Sequence, residues 1–201
     1  MSDFDSEISN LEEDNNIMNN IINFTEPANN SYTILTNQLV DLISDTLRTI
    51  IAKNTQEEEE AKLKPTNEII INTALQEMEI FNVHKKPSIT MKDYLNRIIK
   101  YSHPEPSSLI LSLIYLDNIL FKANIKLKDI NVFKLFYTCF VLSMKFNEDK
   151  HNSHKFYAKV GGVSFNDLLL MEYTVLNYFN WDLCIKEETY DLYFHNLYSS
   201  C

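Results

Sequence analysis

A chain of 201 residues with a formal net charge of −10 has room for one domain plus an extension, and it lacks the cationic excess needed to neutralise phosphates, so nucleic acid is not an expected partner. Hydrophobic residues make up 45% of it, enough for a globular core, while two glycines and five prolines leave little material for hairpin turns and favour helices. The acidic start Ser2-Asp3-Phe4-Asp5 does not read as a signal peptide, and the longest apolar runs, such as 109–116, fall short of the roughly 20 residues that a bilayer span takes. The three cysteines, Cys139, Cys184 and Cys201, suit neither zinc-ligand spacing nor a disulfide framework and read as free thiols in a reducing compartment. The expected location is therefore the nucleus or the cytoplasm, with no membrane partner.

Residues 1–34 are rich in Asn, Asp and Glu, cannot bury enough apolar surface to offset their ordering entropy, and are expected to be disordered. Residues 35–54 change character. Leu39, Leu42, Ile43 and Leu47 recur at three- and four-residue steps and give a helix with one apolar face. Residues 55–86 read as an acidic insertion, in which Glu57-Glu58-Glu59-Glu60 is a like-charge block expected to be solvated and Glu68–Phe81 carries weak helical periodicity through Ile70, Ala74, Leu75 and Met78.

Residues 87–201 read as a compact helical domain. Thr90 with Asp93 resembles a capping box, and Tyr94, Leu95, Ile98 and Tyr101 line one side of the helix that follows. Pro104 and Pro106 break it. A second helix, about Ser107 to Phe121, carries Leu109, Leu113, Leu116 and Leu120 with Ile110 and Ile114 beside them; it is apolar nearly all round, which predicts a central helix. A third, about Asp129 to Phe146, carries Val132, Leu135, Phe136, Cys139, Phe140 and Leu142. His154–Val160 is a short helical piece stopped by the adjacent glycines Gly161 and Gly162. Ser164 with Asp167 caps another helix, striped by Leu168, Met171, Val175, Leu176 and Phe179, and Glu187–Tyr198 is a last amphipathic segment. The reading is an all-α bundle.

No local motif supplies chemistry. Gly161-Gly162-Val163-Ser164 has neither the spacing nor the preceding strand of a phosphate-cradling loop. His151 and His154 are three apart, but no third ligand stands at a convincing spacing, so a polar loop is expected and no metal or cofactor. Nucleophilic triads have no support. Asp117 lies in the most apolar helix and needs a partner if buried; Arg97, on the preceding helix, is the best candidate for a core ion pair. Lys145 and Glu172 are each flanked by large apolar residues, and their spacing does not show whether they meet.

At these residues a resemblance emerges. Ser88-Ile89-Thr90, Tyr94-Leu95-Asn96-Arg97-Ile98 and Lys100-Tyr101 are similar to the opening helix of a cyclin box, and Ile114-Tyr115-Leu116-Asp117 resembles its second helix. Lys145-Phe146-Asn147-Glu148-Asp149, then Tyr157-Ala158-Lys159-Val160-Gly161-Gly162-Val163-Ser164, then Glu172, Leu176 and Trp181-Asp182-Leu183 follow in family order. The Tyr-Ala-Lys-Val-Gly-Gly-Val-Ser run resembles that of single-box cyclins of the yeast phosphate-pathway (PHO) and plant P/U types. The match covers about 87–198, and 39–53 is similar to the helix that precedes the box.

The resemblance implies a five-helix cyclin box around a central helix, with an extra N-terminal helix. It implies a non-catalytic, activating subunit of a cyclin-dependent protein kinase, forming a heterodimer, with no cofactor. A cyclin-fold adaptor that binds a partner without activating a kinase is the alternative. By the resemblance, Lys145 and Glu172 grip the backbone flanking the kinase's mobile helix. Leu142, Phe146, Leu176, Trp181 and Leu183 match apolar positions that pack against the kinase, and Arg97 and Asp117 match an internal ion pair. The face that captures Arg-x-Leu peptides in cell-cycle cyclins here carries Asn96, Lys100 and His103, with only Ile99 apolar, so such capture is not expected.

Overall fold

Three side chains mark where helices begin. Thr90, Ser153 and Ser164 each sit in extended backbone and accept the amide N–H three residues on, from Asp93, Phe156 and Asp167. Each such cap satisfies an otherwise orphaned donor and is worth about 1 kcal/mol. The computed structural model describes residues 30–62 and 76–199, in which these caps open three of seven α-helices. In chain order they are α1 (Asn30–Lys62), a short 3-10 turn (Met78–Phe81), α2 (Met91–Ser102), α3 (Pro106–Ala123), α4 (Val132–Asn147), α5 (His154–Gly161), α6 (Phe165–Tyr178) and α7 (Glu187–Ser199). No strand occurs among the described residues. The expected disorder of the N-terminal 29 positions, Cys201 and the weak periodicity at Ile70, Ala74 and Leu75 lie outside them.

The centre of the bundle is shared. Helix α3, the predicted central helix, is buried from Ser108 to Leu116. Helix α4 is buried more completely still: every residue from Val132 to Met144 except Lys134 is enclosed. These two helices pack on each other more extensively than any other pair. Small residues let them approach, for Ser143 Oγ donates to the Ser108 carbonyl at 2.9 Å and lies 3.1 Å from Ser112 Oγ. Helix α1 covers the bundle with Leu39, Ile43 and Leu47, all fully buried, each contributing about 1.5–3 kcal/mol through lost water contact.

Helix α1 is longer than the 35–54 segment predicted from its apolar stripe. It begins inside the stretch expected to be disordered and runs through the acidic block to Lys62. The reason is tertiary. Asn54 donates to the Leu127 carbonyl at 2.9 Å, Glu57 pairs with Lys126 at 2.8 Å, and Glu58 pairs with Lys128 at 2.7 Å. The like-charge block is thereby met by two lysines of the α3–α4 loop.

The two glycines do different jobs. Gly162 takes the left-handed conformation, φ 67°, that ends α5. Gly161 is still helical, and a Cβ there would overlap the Tyr137 ring of α4. Its carbonyl accepts from the buried Tyr94 hydroxyl of α2 at 3.1 Å. Helix α5 is thus clamped between α2 and α4, and that clamp sets where its first residue, His154, points.

Candidate functional site

The C-terminal turn of α4 carries Lys145 out of the core, and the middle of α6 carries Glu172 toward it. Lys145 Nζ donates to both carboxylate oxygens, at 2.7 and 2.9 Å. The structure therefore brings together two charges that their spacing in the chain left unrelated. Their burial is unequal: the Lys145 side chain is 28% exposed and that of Glu172 only 8%. The lysine stem runs along apolar surface to an open edge, whereas the carboxylate depends on its partners.

A third member joins them. His154, the first residue of α5, accepts at Nδ1 from Lys145 Nζ at 2.9 Å and lies 3.2 Å from Glu172 Oε2. Its ring meets Phe165 edge-on, with centroids 4.9 Å apart. Burial pushes the imidazole below its ordinary value; Glu172 opposes that push and Lys145 adds to it. The sequence reading began a helical piece at His154 but gave its side chain, with that of His151, no role beyond a polar surface loop. Ser153 caps that helix and fixes His154 as its first residue. Among the described residues no three His, Cys, Asp or Glu side chains converge as a metal site requires.

An apolar surface surrounds the charges. Phe146 is 49% exposed and Trp181 62%. Along α6, Phe165, Leu169 and Tyr173 are also exposed, and together with Glu172 and the half-buried Leu176 they follow helical steps that share one side. The sequence reading left Phe165, Leu169 and Tyr173 without a role, because periodicity picks out the covered stripe and does not show which apolar residues beside it form a surface. Leu142 and Leu183 are a correction in the other direction. At 4% and 6% exposure they belong to the core and support the surface from beneath.

Trp181 is held outward at some cost. Asn180 and Trp181 both have positive φ, 53° and 62°, a region that asparagine tolerates and bulky residues rarely occupy. The Trp181 amide donates to the Leu176 carbonyl at 2.9 Å, its indole N–H to Asn177 Oδ1 at 3.3 Å, and its ring meets Tyr173 edge-on. Tyr115 donates to the Leu183 carbonyl at 2.8 Å and receives the Asn147 amide at 3.5 Å, which keeps this loop beside the end of α4.

The expected ion pair between Arg97 and Asp117 is not present. Arg97 Nη2 donates to the Lys159 carbonyl at 3.2 Å, near the C-terminal end of α5. Asp117 is exposed and accepts from the Tyr193 hydroxyl of α7 at 2.5 Å. The physical reason is the orientation of α3. Asp117 falls on the row with Leu113 and Leu120 that lines a cleft of about 250 Å³ between α1, α3 and α7, away from α5. There the carboxylate meets water and a tyrosine and has no need of a cation.

Comparison with known proteins agrees with this architecture. A cyclin-family model matches residues 37–183, from the apolar stripe of α1 through Leu183. The chain is 30% identical over 128 residues to Cyclin-U4-1 of Arabidopsis thaliana, covering 63% of each. It is 33% identical over 114 residues to Cyclin-P3-1 of Oryza sativa subsp. japonica, covering 57% of this chain and 48% of the relative. With Cyclin-U3-1 of Arabidopsis thaliana it shares 29% over 142 residues, 71% of this chain and 64% of the relative. The chain thus spans from about half to just under two thirds of the length of these relatives. An all-α bundle whose matched segment runs across the paired charges and the exposed aromatic rim belongs to the cyclin family, and its relatives place it with the P- and U-type cyclins.

Proposed function

We propose that this chain is a non-catalytic regulatory subunit that activates a cyclin-dependent protein kinase. The observation that carries the reading is the Lys145–Glu172 pair set within exposed Phe146, Phe165, Leu169, Tyr173 and Trp181. A surface of this kind buries apolar area at its centre and uses a few charges to fix register. Lys145 offers N–H donors and Glu172 offers carboxylate acceptors, the two functions needed to hold the backbone on either side of a helix. Kinase activation requires that the helix bearing the conserved Glu be placed so that this Glu pairs with the ATP-binding Lys. A cyclin docked on that helix supplies the placement without taking part in phosphoryl transfer.

The test is capture of cyclin-dependent kinases by the full chain, with kinase activity measured on and off the complex. Wild type is expected to bind and stimulate. Lys145→Ala with Glu172→Ala is expected to weaken binding, since truncating buried charge pairs at interfaces costs about 2–5 kcal/mol. Binding without stimulation identifies an adaptor. Normal activation by the double variant overturns the site.

A further inference from the structure

An ammonium has three N–H bonds and can only donate. Those of Lys145 are directed to both Glu172 oxygens and to His154 Nδ1. His154 Nδ1 is therefore an acceptor here, and the imidazole is neutral with its proton on Nε2. The same Nδ1 lies 3.2 Å from Glu172 Oε2, within reach for a donor that the neutral ring does not possess. One geometry thus accommodates two bonding patterns. With Lys145 in place the ring accepts; with Lys145 drawn off and Nδ1 protonated, the ring donates to Glu172. A partner carbonyl that draws Lys145 outward frees Nδ1 first, because the imidazole is the weaker acceptor, and then the Oε2 that lies within reach of it.

We propose that His154 is a positioning residue of the docking site that changes places with Lys145 on Glu172: as a partner carbonyl draws Lys145 outward, His154 takes a proton from solvent at Nδ1, keeps it, and donates a hydrogen bond through that N–H to Glu172 Oε2. The carboxylate then stays fixed while the lysine engages, and binding carries proton uptake. This rests on the docking reading of Lys145 and Glu172. The charged groups acting on the ring are Glu172 from α6 and Lys145 from α4. Helix α2, on another side of α5, presents Arg97, which is engaged at the Lys159 carbonyl. The positive N-terminal end of α5 disfavours a charged imidazole in its first turn. In the free protein burial and Lys145 keep the ring neutral; withdrawing Lys145 leaves the attraction of Glu172. The bound state therefore holds the proton more tightly, and affinity rises as pH falls, by up to about tenfold for each unit separating the free and bound values.

Two measurements on the full chain test this. Histidine-resolved NMR titration needs no partner: His154 is expected to protonate at higher pH in Lys145→Met than in wild type, and an unchanged titration overturns the exchange. Calorimetry with purified cyclin-dependent kinases, in buffers of different ionisation heat, is expected to show proton uptake and several-fold tighter binding as pH falls from about 8 to about 6. His154→Gln is expected to flatten that slope. A kinase that depends on Lys145 and Glu172 but binds His154→Gln with the wild-type slope overturns the exchange alone. A kinase indifferent to Lys145 and Glu172 overturns the docking reading and the exchange with it.

Discussion

The Tyr137 ring occupies the space that a Cβ on Gly161 would need. In an ordinary helix, replacing glycine with alanine is favourable by about 0.5–1 kcal/mol. Here the sign reverses, because the added methyl must displace a fully buried ring whose hydroxyl donates to the Tyr157 carbonyl at 2.5 Å. Gly161→Ala is expected to lower stability by about 1–3 kcal/mol, as overpacked cores do. Gly162→Ala is also expected to destabilise, for the different reason of its positive φ. Asparagine separates the two causes: it tolerates the left-handed region, so Gly162→Asn is expected to melt close to wild type while Gly161→Asn melts well below it. A Gly161→Ala variant with a raised melting temperature contradicts the contact.

The unequal burial of Lys145 and Glu172 predicts unequal costs. Removing Lys145 leaves a carboxylate of 8% side-chain exposure without its main partner. Lys145→Ala is therefore expected to cost about 3 kcal/mol, the lower end for a broken buried pair. Removing Glu172 leaves a lysine that can extend into water, so Glu172→Ala is expected to cost less. The double variant is expected to be more stable than the sum of the two losses implies, since no charge is stranded. Denaturant unfolding of the four proteins checks this, and strict additivity would show that the two side chains do not sense each other.

What could be read from the chain and what could not divide along the range of the interaction. Thr90 with Asp93 and Ser164 with Asp167 are local, so the caps were legible before any fold was known. The apolar stripes of α1, α3, α4 and α6 were legible for the same reason, since periodicity records which side is covered. The end of α1 was not, because the lysines that meet Glu57 and Glu58, Lys126 and Lys128, lie far along the chain. Nor was His154, whose role exists only where α4, α5 and α6 converge. Family resemblance singled out Lys145 and Glu172, but it also suggested an Arg97–Asp117 pair that does not form, since Arg97 on α2 turns to α5 and Asp117 on α3 turns to α7.

Arg97 and Asp117 consequently behave as independent residues. Arg97→Ala removes a charged donor from the Lys159 carbonyl near the C-terminal end of α5, where a cation is favourable. It is expected to destabilise by about 1–2 kcal/mol, within the range for hydrogen bonds to charged groups and helix-end charges. Asp117→Asn keeps an acceptor for Tyr193 at an exposed position and is expected to change stability by less than about 0.5 kcal/mol. Combined, the two effects should add within about 0.5 kcal/mol, as for sites without shared partners. A coupling well above that in the double-mutant cycle restores the ion pair.

Glu148 links the end of α4 to the start of α3. Helix α3 has no side-chain cap from Glu105, its own flanking residue, and Glu148 supplies acceptors in its place, taking the Glu105 amide at 2.9 Å and the Ser108 hydroxyl at 2.6 Å. Burial pushes the Glu148 carboxyl above its ordinary 4.5, against the pull of those two hydrogen bonds. Folding thus favours the protonated form. That contribution is complete below the unfolded value and is lost as pH climbs through the folded one. Glu148→Gln keeps an oxygen acceptor and does not titrate, so it isolates the effect from the other carboxylates. The stability of wild type relative to Glu148→Gln, read from denaturant midpoints, is expected to fall as pH rises from 4.5 and to level once the group is fully ionised. A relative stability that climbs over the same interval shows that the cap to α3 outweighs burial, and that α3 is held by a charge rather than in spite of one.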